Sequence, residues 1–80
     1  MKAKILSQDR DLVLGLRLGG ITGKLVNNYK EANKYFDIFL KEEDLGVLIL
    51  GDSIYKKLKY KVDEERKKRS KPLIVVLEEK

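Results

Sequence analysis

Two unbroken apolar runs, Leu45-Gly46-Val47-Leu48-Ile49-Leu50 and Pro72-Leu73-Ile74-Val75-Val76-Leu77, limit what this chain can fold into more than any other feature. Both fall far short of the roughly 18–20 apolar residues a membrane span needs. Neither alternates with polar residues, so neither reads as a strand with one wet face. Their length and Ile/Val content favour strands covered on both faces, as in a parallel sheet under helices. Between them, residues 52–69 place Ile54, Tyr55, Leu58 and Val62 at three- and four-residue spacing, with lysines opposite. Asp52 or Ser53 is expected to cap this helix, the basic run Arg66-Lys67-Lys68-Arg69 to complement its negative end, and Ser70-Lys71-Pro72 to stop it. Strand, helix and strand within 33 residues form a βαβ unit with an expected right-handed crossover.

The first half extends the same alternation. Residues 29–43 carry the apolar stripe Ala32, Tyr35, Phe36, Phe39 and Leu40, with Asn27 or Asn28 as cap and Gly46 just past the end. Met1, Ala3, Ile5 and Leu6 predict a first strand over residues 1–7. A helix should begin at Asp9-Arg10-Asp11 and bury Leu12, Val13 and Leu16, with Asp11 as its cap. Residues 24–27 are expected as a short second strand at a sheet edge, where open backbone groups invite another chain. The order is β-α-β-α-β-α-β: an α/β, receiver-like (Rossmann-like) three-layer sandwich with a four-stranded, mostly parallel sheet. With 80 residues and no linker or low-complexity tract, one domain over residues 1–80 is expected.

Several chemistries are excluded or weakly supported. The chain has no Cys and no His, which removes disulfides, zinc sites of the usual kind, thiol nucleophiles and histidine acid–base catalysis. Gly19-Gly20-Ile21-Thr22-Gly23-Lys24 resembles a phosphate loop only superficially. The pattern needs Gly where Leu18 stands and Ser or Thr where Leu25 stands, and this loop leaves a helix rather than opening one. The glycines are expected to end the helix. Asp9, Asp11 and Asp52 follow strands, where a receiver domain holds Mg²⁺. A receiver has a fifth strand that this chain is too short to supply, and capping accounts for Asp11 and Asp52. The net charge of +5 lies mostly in residues 45–80, at +4. The nine Lys and Arg between positions 56 and 71 offer an RNA-binding alternative, but acidic residues are interleaved with the run, and exposed aromatics for stacking are few. No catalytic, cofactor-binding or metal-binding residues are expected, and no nucleic acid partner.

Four stretches together resemble the small F subunit of V-type and archaeal A-type rotary ATPases. Residues 8–21, Gln-Asp-Arg-Asp-Leu-Val-Leu-Gly-Leu-Arg-Leu-Gly-Gly-Ile, match that family's G-D-R-D-x-V-x-G-F-R-L-A-G-like segment, with Gln8 for Gly and Leu16 for Phe. Residues 46–52 resemble its G-x-I-L-I-T-E strand, Ser53-Ile54 the start of its next helix, and residues 72–77 its Pro-led strand. The resemblance implies a non-catalytic rotor subunit of the central stalk. Such a subunit docks on the coiled-coil D subunit within the catalytic hexamer and couples ATP hydrolysis or synthesis to ion transport. It would be cytoplasmic and peripheral to the membrane, without a cofactor. Relatives continue past the last strand into a C-terminal helix, which this chain is expected to lack. Partner contacts are expected at Arg10, Arg17, Lys24, Leu25, Val26 and Asn27, from the strand–helix junction and the edge strand.

Overall fold

A computed structural model describes residues 2–79. Its elements follow the expected order: β1 (Lys2–Ser7), α1 (Arg10–Leu18), β2 (Thr22–Leu25), α2 (Tyr29–Leu40), β3 (Leu45–Gly51), α3 (Asp52–Lys68) and β4 (Leu73–Leu77). The strands form one sheet in the order β2-β1-β3-β4, and every pairing is parallel. α2 and α3 pack on one face, and α1 lies on the other.

Strand alternation sets the two faces. Leu6, Leu48, Leu50 and Ile74 enter the main core with Phe36, Phe39, Ile54, Leu58 and Val62, under α2 and α3. Ile5 is fully buried on the other face, and Val13 of α1 is buried with it. The register Ala3↔Val47, Ile5↔Ile49, Val47↔Leu73 and Ile49↔Val75 places Val47, Ile49, Leu73 and Val75 on that same face. α1 lies over β1 and β2, leaving this half without a helix among the described residues. Val47, Ile49 and Val75 are therefore only half-buried, and Leu73 is 61 % exposed. The expectation that both apolar runs are covered on both faces is corrected: one face is covered, and the other is half bare.

Local chemistry moves several boundaries. β2 starts two residues early, at Thr22, because Gly20 turns the chain at φ 92° and the Ile21 amide returns to the Leu16 carbonyl. Gly23 then lies beside Ile5, where any Cβ would overlap the Ile5 backbone; this glycine permits strand contact rather than ending the helix. α2 ends at Leu40, and Glu42 turns back to accept Lys4 Nζ at 2.7 Å and Lys2 Nζ at 3.2 Å, so Gly46 belongs to β3. The Lys4 hydrogen bond holds the Glu42 carboxyl below its ordinary range against the opposing effect of burial, with Lys2 adding to it. Asp9, not Asp11, caps α1 by accepting the Leu12 amide at 3.2 Å. Asn28 caps α2 by accepting the Glu31 amide at 2.9 Å. α3 has no side-chain cap and departs from helical geometry at Leu58.

Candidate functional site

The carboxyl ends of β1 and β3 form the switch point of the sheet, where the order turns outward in both directions. The carboxylate of Glu79, just after β4, occupies this point. It accepts a hydrogen bond from Ser7 Oγ, one from the Gln8 amide at 3.2 Å and one from the Ser53 amide of α3 at 2.8 Å. The Glu79 amide donates to Asp52 Oδ1 at 3.3 Å, and Ser7 Oγ also accepts the Asp9 amide at 2.9 Å. Gly51 makes room, since a Cβ there would overlap the Glu79 carboxylate. Burial alone would raise the Glu79 carboxyl, but hydrogen bonding from Ser53 and Ser7 outweighs it and lowers the group to about 2.

This arrangement redistributes the three aspartates that follow strands. Asp9 serves as a helix cap, Asp52 holds the Glu79 amide, and Asp11 is exposed in the first turn of α1. Among the described residues, no group of three or more acidic or other metal-ligating side chains is placed to hold a metal ion. Sequence reasoning missed Glu79 because a glutamate after the last strand looks like a solvated terminus. The small residues Ser7 and Gly51 at the ends of β1 and β3, with Ser53 at the start of α3, were the only trace of its seat.

The residues expected to contact a partner separate into two groups. Arg10, Val13, Leu14, Arg17 and Leu25 line one open groove between α1 and the edge strand β2. An apolar floor between two guanidinium groups suits an aliphatic side chain flanked by carboxylates. Lys24 leaves the opposite face of β2 and sits 5.0 Å above the Tyr35 ring. Val26 is corrected: it is fully buried in the core against α2, so no partner reaches its side chain. Asn27 is spent locally, its amide donating to Glu31 Oε1 at 2.9 Å and its carbonyl accepting Gln8 Nε2 at 3.3 Å. Leu14 joins the groove at 45 % exposure, and Leu18 beyond it is 92 % exposed. Both are leucines left over from the inward stripe Leu12, Val13, Leu16, and that remainder was the available signal.

Part of the basic character of α3 serves the fold. Lys61 pairs with Asp37 at 2.6 Å, Arg66 donates to the Ile74 carbonyl at 2.7 Å, and Arg69 donates to the Leu40 carbonyl at 3.2 Å. Tyr55 donates to Asp63 at 2.9 Å, while Tyr60 is exposed.

The topology, with Glu79 occupying the switch point, defines a small all-parallel α/β domain of receiver-like arrangement. The family follows from comparison: residues 6–80 match the model of the ATP synthase (F/14-kDa) subunit, and the chain belongs to that family. The crystal structure of the F subunit of the V-type ATP synthase from Archaeoglobus fulgidus is similar, with 27 % identity and a TM-score of 0.75, over 95 % of each chain. No curated protein matches the chain. The family is an accessory subunit of the ATP synthase, and no helix among the described residues is long and apolar enough to cross a membrane.

Proposed function

We propose that this chain is a non-catalytic rotor subunit in the central stalk of a V/A-type rotary ATPase. It docks on the coiled-coil D subunit inside the catalytic hexamer and helps couple ATP turnover to ion transport, at the cytoplasmic side of the membrane. The observation that carries this reading is the family match across residues 6–80. The groove between α1 and β2 supports the docking step. A coiled-coil helix presents an aliphatic side chain every three or four residues with charged neighbours, which is what Leu14 and Leu25 between Arg10 and Arg17 would receive. Arg10 and Arg17 are seven positions apart, so their Cα atoms lie about 10 Å apart along α1, about two turns of a docked helix.

The test is co-expression with the D subunit of the same organism, followed by size-exclusion chromatography. The two chains should co-elute at micromolar concentration, and Arg10→Glu with Arg17→Glu should weaken the complex at least about tenfold, most strongly at low salt. Separate elution of the wild-type chains would overturn the reading. Co-elution unaffected by the double substitution would keep the assignment and move the docking surface elsewhere.

A further inference from the structure

We infer that the isolated chain pairs with a second copy of itself, each copy laying the outer ridge of α1 into the bare half of the other's sheet. Two unpartnered apolar surfaces lie on the same side of the sheet. One is a ridge: Leu14 and Leu18 project from the outer face of α1 at 45 % and 92 % exposure, with Gly15 beside them and open space around it. The other is a trough beside that helix, floored by Val47, Ile49, Leu73 and Val75.

The dimensions agree. The trough is two strands wide, about 10 Å, and a helix is about 10 Å across. Nine residues of α1 span about 14 Å, and the five residues of β4 span about 17 Å. A twofold axis parallel to the strands, at the height of the helix layer, carries α1 of each copy into the trough of the other. α1 runs against the strands, and this operation preserves its direction. Leu18 of the second copy then arrives at the start of β4, where Leu73 is 61 % exposed. The contact is isologous and closes on itself.

One charge pair fits the same occupant. The first turn of α1 lies at the carboxyl end of the strands, where the acidic rim of Asp9, Asp11 and Glu78 closes the trough. The arrangement directs Arg10 of the second copy, together with the positive end of its helix, towards Glu78. Asp9 and Asp11 of the second copy enter the same acidic end, so the Arg10 contact offsets only part of the repulsion there and the apolar contact carries the pairing. A stable pair needs about 800 Å² from each partner, about 15 % of the 5265 Å² the described chain exposes. The ridge, the trough and their rims make up most of one side of the molecule.

The experiment is sedimentation velocity on the isolated chain from about 1 to about 200 µM. The mass should rise from one chain to two across this range. Leu18→Glu and Leu73→Glu should each weaken pairing more than about thirtyfold, with far-UV circular dichroism unchanged because both side chains are exposed. Arg10→Glu and Glu78→Arg should each weaken it about fivefold, and the double reversal should restore it to within about threefold. Tyr60→Glu, on α3 in the opposite layer, should leave it unchanged. A single chain at every concentration overturns the inference, as does pairing that survives Leu18→Glu or a double reversal that fails to rescue. Co-elution with the D subunit is a separate readout, so this inference and the functional reading can fail independently.

Discussion

Removing the Glu79 carboxylate should loosen the end of the sheet in a pH-dependent way. In Glu79→Gln, the Ser7 hydroxyl and the Gln8 and Ser53 amides lose a charged acceptor that all three share. Hydrogen bonds to a charged group are worth about 1.5–3 kcal/mol each when buried, but this cleft is open, and water replaces part of the loss. Linkage gives an independent figure. A carboxyl lowered from 4.5 to about 2 contributes at most about 3 kcal/mol at neutral pH, reduced by solvent screening to about 1–2 kcal/mol. Because the folded-state value is the lower one, this stability is fully present above pH 4.5 and disappears as pH falls through about 2. By about pH 3, less than half should remain. Urea unfolding of wild type and Glu79→Gln at pH 7 and pH 3 measures the difference directly, and comparing the pair cancels Glu42, which titrates in both. At pH 7, the variant should lose about 1.5 kcal/mol, or about 10 °C in Tm for a chain of this size. A loss below about 0.5 kcal/mol at pH 7, or an equal loss at pH 3, would refute the clasp as a source of stability.

Four further substitutions test other joints of the fold. Gly23→Ala forces a methyl into the Ile5 backbone and should cost more than about 3 kcal/mol or prevent folding, seen as loss of the cooperative thermal transition. Asp9→Ala should cost about 1 kcal/mol by chemical denaturation, while Asp11→Ala stays within about 0.5 kcal/mol, because only Asp9 caps α1. Arg66→Ala uncovers the Ile74 carbonyl at the outer edge of β4, so light scattering should show faster aggregation with only about 1 kcal/mol lost in stability.

The element order was legible because each segment carries its own period. The stripe of α2 and the apolar runs of β3 and β4 name their structures without help from distant residues. Boundaries failed where a tertiary partner decided them: Gly23 joins β2 because Ile5 lies beside it, and Glu42 leaves the helix for Lys2 and Lys4. The site was less legible for the same reason. Arg10 and Arg17 share a helix side that spacing reveals, so the groove could be anticipated, whereas Val26 is exposed or buried only according to which way strand parity turns it. Glu79 reaches Ser7 across 72 positions, and no local pattern encodes such a contact.

The bare half of the sheet follows from counting rather than from any single residue. Four strands at about 4.8 Å make a sheet about 19 Å wide, and each helix covers about 10 Å, so two helices are needed per face. The described residues bring three. Two of them, α2 and α3, complete one face, and α1 alone covers half of the other. The unalternating strands conceal this shortfall, because β3 and β4 place equally apolar residues on the covered and the bare side. In an isolated monomer, such residues on the bare side would be a liability, and a charged residue would serve better. The fourth helical position is the one the proposed pairing would fill, with an apolar surface running along the strands.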